Sequence, residues 1–114
     1  MLISVKARNV KVNDDLHERI EKRFEKIGRQ VPQAAELEVE LMEERTHSAG
    51  PQEIVEATLR LKGTTLRARE SEASLTQALN EVVSELSRQV KRHKDKQRNR
   101  RGTARVEPRP APSP

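Results

Sequence analysis

The chain has 114 residues, of which 32% are hydrophobic, with one aromatic residue, Phe24, and no cysteine. That is room for one domain with a thin aliphatic core, and it excludes disulfides, thiolate metal sites and aromatic platforms for stacking bases. The net charge is +5 with pI ≈ 10.0, and the excess is concentrated: Ser87 to Pro114 holds ten Lys and Arg against Asp95 and Glu107, leaving Met1 to Leu86 with thirteen cations and sixteen acids. An acidic body with a basic extremity points to a polyanion partner rather than to a uniformly sticky surface. No apolar run is long enough for a signal segment or a membrane span, so a cytoplasmic location is expected.

In chain order, Ile3, Val5 and Ala7 alternate with Ser4, Lys6 and Arg8. A period of two is a half-buried strand. Asn9 to Val12 continue the strand or turn away from it. Asn13 is a good N-cap, and Asp14 and Asp15 suit the positive first turn of a helix. Leu16, Ile20, Phe24 and Ile27 then form a helical stripe, with Gly28 expected as the C′ residue that ends it. After a loop around Pro32, residues 36–41 alternate Glu with Leu or Val, and period outweighs helix propensity, so a strand is expected. Arg45 to Gln52, with Gly50-Pro51, reads as a loop. Val55, Ala57, Leu59 and Leu61 mark a third strand, Lys62-Gly63-Thr64 a tight turn, and Leu66 and Ala68 a short fourth strand. A long helix follows from Ser71 to about Lys96, capped by Ser71 or Ser74. Its stripe is Leu75, Leu79, Val82, Leu86 and Val90.

The resulting fold class is α+β, in the order β-α-β-β-β-α. The crossover makes the first two strands parallel, the last three form an antiparallel meander, and each strand is apolar on one face. A four-stranded mixed sheet with two helices packed on one face follows. The open face alternates cations (Lys6, Arg8, Arg60, Arg67, Arg69) with acids (Glu38, Glu40, Glu56), so it compensates itself and makes a poor nucleic-acid platform. Residues 1–96 form the α+β domain; residues 97–114, basic and rich in proline, read as a disordered tail.

Two basic rows remain. Arg19, Lys22, Arg23 and Lys26 lie beside the apolar stripe of the first helix, and Arg88, Lys91, Arg92 and Lys94 on the last. On the first helix, Glu18, Glu21 and Glu25 could simply neutralise the row, as on any exposed helix. The matching row on the last helix favours phosphate binding instead. No phosphate loop, glycine fingerprint or nucleophile elbow is present. His17, His47 and His93 are too scattered to form a ligand set, and the acids are expected to point mostly outward from Glu-rich strands. No catalysis, metal, cofactor or small-molecule substrate is expected.

The segments ISVKARNVKVNDDLHERIEKRFEKI, LEVELMEE, VEATLRLKGTTLRARE and ALNEVVSELSRQVKRHKDK together resemble the ribosome hibernation-promoting factor family, also called ribosome-associated inhibitor A or ribosome subunit interface protein. The most specific pieces are Leu66-Arg67-Ala68-Arg69-Glu70 and the helix from Leu86 to Lys94. The chain departs from the pattern at Ala73-Ser74-Leu75-Thr76, where the family usually has Glu-Asp-Met-Tyr. The resemblance covers residues 1 to about 96. With the Pro-rich end, it implies a short form or the N-terminal domain of a long one. It also implies a non-enzymatic, stress-response inhibitor that binds the decoding region of the small ribosomal subunit and blocks messenger and transfer RNA. Its partners would be 16S rRNA and adjoining ribosomal proteins, without a membrane, and the contacts would map to the eight basic residues above. A general double-stranded RNA-binding module and a homodimer or protein-interaction module are the alternatives; the initial strand counts against the first.

Overall fold

The computed structural model describes residues 1–46, 48 and 50–106; His47 and the Pro-rich segment 107–114 lie outside the described residues. The elements are β1 (Leu2–Arg8), α1 (Asp14–Arg23), α2 (Glu25–Gly28), β2 (Glu36–Thr46), β3 (Gly50–Leu61), β4 (Thr64–Glu72) and α3 (Leu75–Val106). The sheet order is β1-β2-β3-β4. β1 and β2 run parallel through the helical crossover, and β2, β3 and β4 form the antiparallel meander. The α+β architecture expected from the alternation holds.

Register organises the covered face of the sheet into rows. Ile3, Leu37, Leu59 and Leu66 stand opposite one another across all four strands. The next row is Val5, Val39, Ala57 and Ala68, small enough for a helix to approach closely. Against these rows pack Ile20, Phe24 and Ile27 from α1 and α2, and Ala78, Leu79, Val82, Leu86 and Val90 from α3, all buried. Fully burying a side chain of this kind contributes roughly 1.5–3 kcal/mol. Among the described residues none that is polar or charged is fully buried, so the core is wholly apolar.

The local signals were mostly obeyed. Asn13 accepts from the Leu16 amide at 2.8 Å, which caps α1. Asn9 turns the chain away from β1 in the left-handed region at φ 59, and Gly63 does the same between β3 and β4 at φ 81. The Ser74 hydroxyl accepts from the Gln77 amide at 3.4 Å and starts α3, whereas Ser71 belongs to β4.

Four expectations are corrected. The first helix is interrupted at Phe24, whose φ −94 and ψ 2 leave helical geometry before α2 resumes. Gly28 is not a left-handed C′ residue: Arg29 caps α2 with right-handed dihedrals, and Gly28 faces Met1, whose methyl carbon lies 3.5 Å from where a Cβ would stand. The expected loop at residues 45–52 is largely strand, because Arg45 pairs with Pro51 and Glu44 with Gln52; backbone pairing outlasts the apolar alternation. The last helix runs on to Val106 rather than stopping near Lys96. Lys, Gln and Arg are good helix formers, and an Asp95–Arg98 pair at 3.0 Å supports the extension.

Leu79→Ala should destabilise the fold by about 2–5 kcal/mol through the cavity it leaves. Asn13→Ala should cost about 1 kcal/mol through the lost cap. Urea unfolding followed by circular dichroism measures both, and equal effects would contradict this account of the core.

Candidate nucleic-acid interface

Burial of the two apolar stripes fixes how each helix is turned about its axis, and so where each cation goes. With Ile20 and Phe24 inward, Arg19, Arg23 and Lys26 lie on the flank of α1–α2 that faces α3. The Arg23 guanidinium donates to the Asn80 side-chain oxygen on α3, which bridges the two helices. Glu18, Glu21 and Glu25 lie on the opposite shoulder, over a groove floored by Met1, Leu2 and Ile3. On α3, Asn80, Val83, Ser87, Lys91 and Lys94 recur at steps of three and four along the flank facing α1. Lys94 reaches the segment after α2, lining a groove with Gln30, Val31 and Pro32.

Five of the eight sequence-predicted cations therefore converge on the seam between the helices: Arg19, Arg23, Lys26, Lys91 and Lys94. Arg23 is half-buried and the other four are exposed. The remaining three stand elsewhere. Lys22 sits on the far shoulder of α1 beside Glu18, Glu21 and Glu25. Arg88 and Arg92 lie toward β4, exposed, and both reach Glu85, at 2.8 and 3.7 Å. Asn80 and Ser87 also belong to the seam. Ser87 Oγ is shielded from solvent and has no hydrogen-bond partner among the described residues. Sequence reasoning passed over both, although they occupy the row that continues into Lys91 and Lys94.

Glu85 is the centre of a small network. Its carboxylate accepts from Arg88 and from Gln89, the latter at 3.0 Å. Gln89 also donates to the Arg67 carbonyl oxygen of β4 at 2.7 Å, which ties the network to the sheet edge. The hydrogen bonds from Arg88 and then Gln89 hold the Glu85 carboxyl below the usual carboxylate range.

Elsewhere, cations on β1 and β3 are paired with acids, and one corner of the covered face is acidic. On the open face Lys6 meets Glu38 at 2.7 Å, Arg8 meets Glu40 at 3.1 Å and Arg60 meets Glu38 at 3.5 Å, the compensation expected from the sequence. On the helix side, the register continues past the core into an acid row of Glu43, Glu53 and Glu72, with Glu70 one row nearer the core and opposite Val55. These acids are exceptions to the mostly outward placement expected from the sequence; the strand parity that buries Val55 and Ala68 carries them to the covered face. Glu81 of α3 lies over Glu70 and Glu72, and the three bring one carboxylate oxygen each within 4.8 Å of one another. Oxygen sets of this kind suit hard cations; their direct consequence here is repulsion. Burial first and then Glu81 push the Glu70 carboxyl up, a hydrogen bond to Glu81 pushes Glu72 up, and burial with Glu43 does the same to Glu53. Of the histidines, His17 lies 3.8 Å from Glu21 and His93 is half-buried at the edge of α3.

The family described as sigma 54 modulation protein / S30EA ribosomal protein matches residues 3–98. A curated relative, the ribosome hibernation promotion factor of Deinococcus radiodurans, is 26% identical over 112 residues; the match covers 98% of this chain but 59% of the relative's length. The crystal structure of the Thermus thermophilus Protein Y N-terminal domain superposes with a TM-score of 0.69 at 26% identity, over 82% of this chain and 99% of that one. A ribosomal subunit interface protein from Coxiella burnetii superposes with a TM-score of 0.66 at 17% identity, over 83% and 99%, a likeness of fold alone. Among the described residues no helix is long and apolar enough to cross a membrane.

Because the folded state raises the pKa of Glu70 and Glu72, protonating them stabilises the fold, and that stability is lost as pH rises through the raised values. Glu81→Gln removes the shared repulsion. It should raise the urea midpoint at neutral pH, and the gain over wild type should vanish below about pH 4, where the acids are protonated anyway. A lower midpoint at neutral pH would show that Glu81 is held favourably.

Proposed function

Because the chain belongs to the sigma 54 modulation protein / S30EA ribosomal protein family, we propose that it is a ribosome hibernation factor, one that seats in the decoding region of the small subunit and excludes messenger and transfer RNA by occupying their place. The observation that carries this reading is the seam: five cations from two helices converge on one strip, while the open face is self-compensated and the β4 side of the covered face is acidic. Only one orientation toward a polyanion is then electrostatically favourable.

The chemistry suits folded RNA. An A-form helix hides its base edges in a deep major groove, so recognition works through backbone and shape. Fixed cations position a protein on phosphates without reading bases, and aromatic side chains are not needed for that. Arg19, Arg23, Lys26, Lys91 and Lys94 make the central contacts in this reading, Arg88 and Arg92 the edge contacts, and Lys22 an outer one. The Asn80 bridge to Arg23 holds two rows in one rigid body, so a matching phosphate array is met with little side-chain ordering. Residues 1–96 form the binding unit, and the basic stretch beyond them adds unspecific attraction to RNA.

Arg23→Glu with Lys91→Glu should abolish co-sedimentation with small subunits while leaving the circular dichroism spectrum unchanged. Arg88→Glu with Arg92→Glu should weaken it at least about tenfold, the scale expected for losing two phosphate contacts. For wild type, log affinity should fall against log salt by about 0.7–0.9 per contact, by analogy with DNA, so the five central contacts alone lose roughly 100- to 500-fold between about 50 and 200 mM salt. Normal co-sedimentation by both double variants would overturn the reading.

A further inference from the structure

Arg88 and Arg92 are exposed cations at the edge of the proposed interface, yet both are engaged by one carboxylate. We propose that Glu85 is a specificity-determining residue: a fixed counter-charge that presents Arg88 and Arg92 to the phosphate arrangement of the small subunit and withholds them from other RNA. This rests on the functional reading above and adds to it a residue of the same sign as the ligand's phosphates, opposite to the cations that bind them.

Geometry supports it in three ways. Arg88 gives Glu85 two hydrogen bonds, from Nε at 3.3 Å and from a terminal nitrogen at 2.8 Å, so its guanidinium plane is set. Arg92, one turn further on, approaches the other carboxylate oxygen at 3.7 Å. Glu85 is itself held by Gln89, and Gln89 by the β4 backbone at Arg67. The arginines are thus referenced to the sheet rather than swinging from an exposed helix. Glu70 and Glu81 stand on the same side as Arg88, and their negative charge reduces its field toward solvent.

Two ligand situations then differ. An RNA whose phosphates stand where the held guanidiniums already point gains charge-assisted hydrogen bonds with no rearrangement. An RNA whose phosphates stand elsewhere must first draw the arginines off Glu85, and it meets a weaker attractive potential while doing so. Loose arginines would bind both alike, because phosphate contacts are indifferent to sequence. Glu85 therefore lowers general RNA affinity more than it lowers affinity for the fitting site.

The test compares wild type with Glu85→Gln and with Glu18→Gln, which removes the same charge from the far shoulder of α1. Each full chain is titrated against isolated small subunits and against a short free RNA duplex, over a range of salt. Glu85→Gln should bind the duplex about sixfold more tightly near ~0.1 M salt, with a slope steeper by about 0.7–0.9, the signature of one additional phosphate contact. Its subunit affinity should change less than about twofold, so the ratio of subunit to duplex affinity falls, whereas Glu18→Gln should leave that ratio as in wild type. A ratio preserved in Glu85→Gln, or a fall of equal size in Glu18→Gln, overturns the proposal and leaves the functional reading standing. Failure of the wild-type chain to bind subunits more tightly than duplex overturns both.

Discussion

The seating of Leu79, Val82, Leu86 and Val90 on the sheet decides most of what this molecule can do. These four side chains and Ala78 are buried over β3 and β4, where Ala57 and Ala68 belong to a row of small residues that continues through Val39 and Val5. A helix pressed on such a row has one rotation about its axis that buries its stripe, and any other rotation exposes several leucines or valines at roughly 1.5–3 kcal/mol each. The rotation that wins sends Lys91 and Lys94 toward α1 and Arg88 and Arg92 toward β4. The placement of charge is thus a consequence of apolar packing, not of attraction between charged groups. Exposed ion pairs contribute too little, roughly 0–1 kcal/mol, to turn a helix against its core.

Once the helices are set, the acids divide the surface. Glu38 and Glu40 cancel the cations of β1 and β3 on the open face. The acid row at the end of β2, β3 and β4 meets Glu81, leaving that corner strained by like charge. Glu18, Glu21 and Glu25 occupy the shoulder of α1 away from α3. The seam and the free end of α3 are where cations gather without neighbouring acids in comparable number. In this way a chain with 18 acids against 23 bases presents a concentrated positive strip, where a net charge of +5 spread evenly would present none. The cost is borne by stability at neutral pH, where the acid corner repels itself.

Strand parity and helix spacing made the fold legible from the residues. The alternation at Ile3-Val5, Leu37-Val39-Leu41 and Val55-Ala57-Leu59 gave the sheet, and the parallel crossover followed from the intervening helix. Strand ends were not legible, because Glu43, Glu44, Gln52 and Glu53 carry no apolar signal although their backbones pair as well as those of the core. Gly28 misled because a glycine at a helix end suits the left-handed cap, and here the chain leaves in right-handed geometry. Ile54 escaped notice for a different reason. Its parity places it on the open face, opposite Met42 and Ser71, yet it is 2% exposed. For the candidate site, the eight cations were visible as two rows, but their division into five and three was not. That division depends on which flank of each helix faces its neighbour, and long-range contacts such as Arg23 to Asn80 and Gln89 to Arg67 decide it. Glu85 could not be singled out, because sequence spacing alone makes it one more acid beside a lysine-and-arginine stretch.

The same packing argument separates two kinds of cation along α3. Up to Val90 the helix is anchored by buried residues, so Arg88, and Lys91 one residue past the last anchor, are carried by backbone held against the sheet. Beyond Val90 the apolar stripe ends, while the helix continues through Val106, about 24 Å further at 1.5 Å per residue. Arg98, with its Asp95 partner, lies on this unanchored part. A fixed cation loses little entropy on meeting a phosphate and discriminates by position; a cation on an unsupported helix attracts any phosphate within a Debye length, about 8–10 Å at moderate salt. The long helix therefore grades from a positionally selective root to an indiscriminate end. In the proposed reading the root would bring the molecule into register and the end would raise the rate at which it arrives, so the two halves would respond differently to salt: the end is the part that dilute electrolyte exaggerates and concentrated electrolyte silences first.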